Sequence, residues 1–401
     1  MRKINSSAKL CIYSILWSTV VTALFGYTIN ASPLFKFIIA AFCWIGIYHS
    51  SKRFYVIKNY SLFPKILVSF LLLIVCQSFL HSLLNGEVHA GEKMVVIFTN
   101  KVAVLDLVGV CFLPVVLYLS ELKFILKASL IFSIASIFLL LFNFETTEDS
   151  YFLGYVLLYT PIFLSYISKK NILILGIAYM ISIFAFLGGG RQIAILLAFA
   201  ILSVIVPKYC SKKYTFYISI VICLLPIFLL FWSLNNISIF EFLSENYGSN
   251  DDMSVDTRTF LWQELSSDMF SQDLATIIFG KGVLGYYESD FFKMNYRFAI
   301  EVPILQWFLQ AGLAYVLSFT ALIFSSIYLL YKKGKNLMCQ RASILIASFY
   351  FNCYVSNLLG CNIGTLGVWI LISMAFNPNI LNATNLQIKQ NLFSNTLLNL
   401  T

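Results

Sequence analysis

The sequence predicts an all-α, polytopic integral membrane protein with about twelve transmembrane helices. Three observations carry that prediction. Hydrophobic residues fill 60% of the 401 positions, and charged residues only 11%. The apolar residues gather into runs near the ~20 residues a helix needs to cross ~30 Å of hydrocarbon. The charges fall between these runs, and their sign changes from one side to the other. Inside a bilayer every backbone amide needs a partner, and a helix supplies one along its own length.

The first run, residues 10–28, reads as a span and not as a cleaved leader. Its apolar part is long, no small-x-small cleavage site follows, and the next run arrives at once. Further spans are expected at 33–49, 66–83, 102–119, 125–142, 151–167, 171–187, 192–207 and 214–233. A polar segment, 234–300, separates the ninth span from the tenth. The last three spans cover 301–330, 342–358 and 362–376. The tenth is long enough to tilt or to extend past the membrane. The expected divisions are therefore 1–233, 234–300, 301–376 and a polar tail, 377–401, read as loosely attached.

Charge sets the orientation. Loops on the N-terminal side hold 18 Lys and Arg residues, and Glu121 is the one acid among them. The opposite loops hold seven basic residues and 15 of the 18 acids. Lys and Arg remain cytoplasmic in such chains, so both termini are expected inside. The net charge of +9 follows from this distribution, together with attraction to anionic lipid. It does not mark a nucleic-acid surface, because no basic stripe with interleaved aromatics is present. The nine cysteines lie in spans or cytoplasmic loops, and no CxxC occurs. His49, His81 and His89 are far apart in sequence, so neither a metal nor a cofactor is expected.

Ionisable residues at the outer face are the candidates for chemistry. Arg191 follows GGG and opens the eighth span. The helix dipole disfavours a cation there, so an anion such as phosphate is an attractive partner for its planar fork of donors; the alternative is an arginine snorkelling to the interface. Arg258 and Trp262 are four residues apart within RTFLW and share a helical face, and Arg258 can either pair with Asp256 or Glu264 or bind a pyrophosphate. The apolar positions Phe260, Leu261, Leu265 and Met269 make this stretch a short amphipathic helix at the membrane surface. Gly280, Gly282 and Gly285, around Lys281, suggest a tight turn beside a binding surface. Tyr286 and Tyr287 can stack on sugar faces or anchor at the interface. Arg297 and Glu301 are also four apart, an ion pair or an anion clamp beside a general base. Asp106 lies within the fourth span and needs a partner there.

The chain resembles the O-antigen polymerase and ligase superfamily over roughly residues 150–330. The resemblance rests on GGGRQIAILLAF, DTRTFLWQEL, IIFGKGVLGYY and EVPILQWFLQAGL, in that order. The family's helix-opening arginine matches Arg191, and its arginine before a tryptophan matches Arg258 and Trp262. Its phenylalanine–glycine–x–glycine turn matches Phe279, Gly280 and Gly282. The ligases carry a histidine–asparagine pair eleven residues before a glycine. Here Glu301 and Val302 stand before Gly312. That departure favours polymerase over ligase.

The resemblance implies a GT-C-like fold in a bacterial inner membrane, with 234–300 as a large periplasmic loop. It implies glycosyl transfer between undecaprenyl-pyrophosphate-linked glycans, with membrane lipids and a chain-length regulator as partners and no nucleic acid. Arg191 and Arg258 would hold the pyrophosphate and Glu301 would accept the proton. Arg297, Trp262, Lys281, Tyr286 and Tyr287 would line the substrate. The alternatives are a ligase acting on lipid A core and a transporter or flippase for a lipid-linked substrate.

Overall fold

The computed structural model describes residues 6–29, 33–55, 62–85, 90–100, 103–115, 121–128, 130–131, 160–187, 191–235, 257–289, 293–355 and 361–393. It is mostly helical and fits an all-α membrane protein. Among the described residues, four helices are long and apolar enough to cross a membrane: Leu34–Ser51, Leu62–Leu84, Lys212–Leu229 and Pro303–Lys333.

The chain begins with α1 (Ser6–Ile29), α2 (Pro33–Ser51) and α3 (Leu62–Asn85). Helix α1 packs along α2. Gly46 makes the approach close, because a Cβ there would lie 2.8 Å from Ile15 Cδ1. Helix α3 turns Leu73 and Leu84 outward, 66% and 81% exposed. Such large apolar side chains are suited to lipid rather than water.

The run expected as a fourth span winds differently. A short helix α4 (Ala90–Thr99) precedes it, and the run itself holds a single turn, α5 (Val104–Leu107). A 3-10 helix, Val108–Val115, continues from that turn. Carbonyls of the turn and of the 3-10 helix are met by side chains of other helices. Tyr315 Oη donates to Leu107 O at 3.0 Å, and Ser50 Oγ donates to Cys111 O at 2.6 Å. Gly109 lies under the Trp369 indole, where a Cβ would come within 2.5 Å of Nε1. Apolar composition alone does not distinguish this winding from an α-helix.

Residues 121–128 form α6. The rest of the expected fifth span and the first part of the sixth lie outside the described residues. The sixth run ends in a 3-10 turn, Thr160–Phe163. Three long helices follow: α7 (Lys169–Leu187), α8 (Arg191–Tyr209) and α9 (Lys212–Asn235). On α9 the exposed residues Tyr214, Val221 and Phe228 recur every seven positions, one outward stripe.

Short elements come next: α10 (Thr257–Phe270), α11 (Leu274–Phe279), β1 (Tyr287–Ser289) and β2 (Met294–Arg297). The centre of the molecule is α12 (Pro303–Lys333) against α13 (Leu337–Val355), flanked by α3, α8, α9 and α14 (Ile363–Phe376). Helix α14 opens with a capping box in which Asn362 Oδ1 accepts from Gly364 N and Thr365 N, and Thr365 Oγ1 accepts from Asn362 N.

The end bearing the Lys and Arg residues is tightly joined. Arg53, after α2, meets Glu121 at the start of α6 at 2.6 Å, with both side chains buried. Lys212 Nζ donates to Gly334 O at 2.8 Å, which sets α9 and α12 at one level. Arg341 donates to Pro161 O at 3.0 Å and to Ser165 Oγ at 2.6 Å. The polar tail is not loose where it is described. It forms α15 (Pro378–Leu381) and α16 (Asn385–Phe393), which bury Ile380, Leu381, Ile388 and Leu392. Asn336 Nδ2 donates to the carbonyls of Ile380 and Ala383, both at 2.9 Å. Apolar residues spaced through a polar sequence supply this seam, which mean composition hides.

Candidate functional site

The candidate residues gather where α10, the glycine turn and the hairpin cover the entrance of α12. Helix α10 forms because Leu261, Leu265 and Met269 recur every four residues. All three are fully buried, while Gln263 and Ser267 on the other face are exposed. Trp262 stacks on Tyr354 of α13, with centroids 5.9 Å apart and planes 7° from parallel. That contact fixes α10 over the end of α13. The Tyr354 hydroxyl is 2.9 Å from that of Tyr350, which is 3.0 Å from Thr320 Oγ1.

The glycine turn has a different task from the one its sequence suggests. Helix α12 breaks at Gly312, where φ is 70° and ψ −175°. A break removes amide donors from carbonyls earlier in the helix, and each orphan in a low-dielectric setting costs energy. The turn replaces them: Lys281 N donates to Leu309 O at 2.7 Å, and Gly282 N to Gln310 O at 3.1 Å. A Cβ on Gly280 would lie 2.4 Å from Ala311 N, and one on Gly312 would lie 2.2 Å from Ile278 O. On its other side the turn meets α3, where Val283 N donates to Ser78 O at 3.3 Å and Leu284 N to Ser82 Oγ at 3.0 Å. Gln310 Nε2 donates to Val283 O at 3.0 Å, and Ser78 Oγ donates to Gln310 O at 2.7 Å. Gly280 and Gly282 therefore admit protein backbone and side chain.

Lys281 pairs with Asp268 of α10 at 2.6 Å and reaches Tyr286 O at 3.3 Å. Tyr286 lies against Tyr296, ring centroids 4.8 Å apart, both partly exposed. The hairpin sets Tyr287 opposite Arg297 and Ser289 opposite Met294, with a bulge between. Tyr287, Ser289 and Arg297 are buried. Ser289 Oγ donates to Glu264 Oε2 of α10 at 2.6 Å. Burial pushes the Tyr287 phenol above its ordinary range, partly offset by the Arg297 charge, so it stays neutral. Glu264, Tyr287, Ser289 and Arg297 thus form one polar cluster between α10 and the hairpin.

Arg297 and Glu301 do not share a helix face. Arg297 ends β2, residues 298–302 are not helical, and α12 begins at Pro303, whose fixed φ suits a first helical position. Glu301 is exposed just outside that start. Arg258 belongs to the first turn of α10, and Arg191 is the first residue of α8. Their side chains lie outside the described residues. The backbone still places Arg191. Phe199 of α8 packs on Phe351 of α13 at 5.2 Å, so Arg191 lies at the end of the bundle where α13 meets Trp262.

Asp106, expected to need a partner, has one. The Trp307 indole donates to Asp106 Oδ2 at 2.7 Å, one turn into α12. No group of His, Cys, Asp and Glu among the described residues is arranged to hold a metal. The sequence reading missed Ser289, and it considered Glu264, two residues after Trp262, only as an ion-pair partner for Arg258. Comparison with family models, curated proteins and solved structures finds no match for this chain.

Proposed function

We propose that this protein polymerises lipid-linked oligosaccharide repeat units at the outer face of a bacterial inner membrane. On this reading it has a GT-C-like fold of twelve spans with both termini cytoplasmic. The donor is a glycan on undecaprenyl pyrophosphate, and the acceptor is a sugar hydroxyl on a second lipid-linked unit. The hydroxyl oxygen attacks the anomeric carbon of the donor, the bond to pyrophosphate breaks, and the chain moves en bloc. Arg191 and Arg258 stabilise the charge growing on the leaving pyrophosphate. A carboxylate of the same body takes the proton from the attacking hydroxyl.

The observation that carries the reading is convergence. TRTFLWQEL and IIFGKGVLGYY pack with EVPILQWFLQAGL into one body at the entrance of α12. Arg191 opens a helix at the same end of the bundle. Trp262, Tyr286 and Tyr296 add partly exposed aromatic faces of the kind that stack on sugars. The test is deletion of the gene in its host, with surface polysaccharide run on a gel. The expected result is collapse of a ladder to core plus one repeat, restored by wild type and not by Arg258→Ala at equal protein level. A normal ladder in Arg258→Ala overturns the reading. Polymer retained on the lipid carrier would instead indicate ligase.

A second reading, transport of a lipid-linked substrate, draws on Asp106. That carboxylate sits in the single α-helical turn α5, just before a 3-10 stretch and against a broken helix, and interrupted helices of this kind occur at transporter sites. It predicts that deletion leaves repeat units on the cytoplasmic leaflet.

A further inference from the structure

We infer that Glu264, and not Glu301, is the carboxylate that accepts the proton from the attacking sugar hydroxyl. This rests on the polymerase reading. Glu301 is exposed beyond the start of α12, where water screens it and leaves its side chain free to turn. Glu264 is held. Its Oε2 accepts the Ser289 hydroxyl at 2.6 Å, and Ser289 is itself buried on β1. A base works when its oxygen stays within hydrogen-bond reach of the proton it removes, and a fixed rotamer provides that.

The surroundings suit the task. Across the hairpin from α10 stand Tyr287 and Arg297, both buried, and Tyr287 carries the influence of both the Arg297 and the Glu264 charges. The guanidinium keeps the cluster from becoming a net negative site, so an anionic donor is not repelled. One turn further along α10, Asp268 is occupied by Lys281. The facing part of α12, residues 303–315, holds no charged side chain. Glu264 is half-buried, so it is reachable by a ligand and partly shielded from water. It lies six residues beyond Arg258, about 9 Å along the helix axis. One rigid helix therefore carries the pyrophosphate clamp near its start and the base nearer its middle. An acceptor hydroxyl between them attacks the anomeric carbon, gives its proton to Glu264, and the carbon–oxygen bond to pyrophosphate breaks. The leaving pyrophosphate departs as an anion held by arginine, so protons and charge balance without another reactant.

The test uses full-length protein in proteoliposomes with lipid-linked repeat units extracted from its host. Polymer formation is followed against pH for wild type, Glu264→Gln, Glu264→Asp, Glu301→Gln and Arg258→Ala. The expected result is a fall of about 10²-fold or more in Glu264→Gln, with loss of the acidic limb of the rate profile. Glu264→Asp regains part of the rate and shows the limb again, which excludes misfolding as the cause. Glu301→Gln stays within about twofold of wild type. A Glu264→Gln enzyme with wild-type rate overturns the inference. So does one that is slow but keeps its acidic limb, which would make Glu264 only a positioning residue. If Arg258→Ala also polymerises normally, it is the polymerase reading itself that fails.

Discussion

At the scale of single residues, the pair that stands out is far from the candidate site. Glu121 is the one acid among the loops that carry the basic residues, and it faces Arg53 with both groups buried. Removing one partner of a buried pair leaves a charge without compensation, which costs about 3–5 kcal/mol. Glu121→Ala is therefore expected to lower the unfolding midpoint in detergent sharply. Replacing both, as Arg53→Met with Glu121→Leu, is expected to restore most of it, because the apolar pair has no charge to desolvate. A single variant as stable as wild type would show that the pair is solvated. Sequence marked Glu121 as an exception but named no partner, because Arg53 is 68 positions away. The reverse holds for Arg297 and Glu301. Spacing suggested a helical pair, and the hairpin that ends at Arg297 removes the helix on which that spacing depends.

At the scale of elements, α12 shows what periodicity can and cannot reveal. Its apolar run predicts one long helix, and Pro303–Lys333 is continuous apart from Gly312. Nothing in EVPILQWFLQAGL says that the glycine is a break, because glycine also occurs inside regular membrane helices. The break is set by a turn 30 residues earlier that supplies the missing donors. Alanine at Gly312 would meet Ile278 O and adopt an unfavourable positive φ. Gly312→Ala is expected to destabilise by at least ~2 kcal/mol, read as a lower melting temperature in detergent. An unchanged melting temperature would mean that the helix straightens without cost. The 3-10 stretch Val108–Val115 was illegible for the same reason. Trp369 and Ser50 pack on it and Tyr315 on the turn before it, and all three lie elsewhere in the chain.

At the scale of the whole molecule, the sequence was most legible where solvent chemistry dominates. Apolar runs and the sign of the intervening charges locate α1, α2, α3, α7, α8, α9, α12, α13 and α14 to within a few residues. The proposed topology makes a direct prediction. A reporter active only outside the cytoplasm should work when fused after Val88 or Asn250, and be silent after Ser211 or Lys335. Activity at Ser211 would break the alternation on which twelve spans depend. The ordered tail was less legible, because α15 and α16 dock through a few spaced contacts and not through a continuous apolar run.

The glycine turn also bears on the order of assembly. Ser82 meets its partner Leu284 across 202 positions, and Ser78 meets Gln310 across 232. At ~5–20 residues per second, the ribosome needs roughly 10–40 s to make the chain between Ser82 and Leu284. For that interval α3 sits in the bilayer with two hydroxyls whose final partners do not yet exist. Serine can meanwhile bond carbonyls of its own helix, which holds α3 in a waiting state at little cost. Helix α12 has no such reserve, because main-chain carbonyls on either side of a break cannot be satisfied by a rotamer change. The turn precedes α12 in the chain, so the donors are already made when the acceptors enter. The sequence order of these two segments thus spares the membrane an unpaired backbone during synthesis.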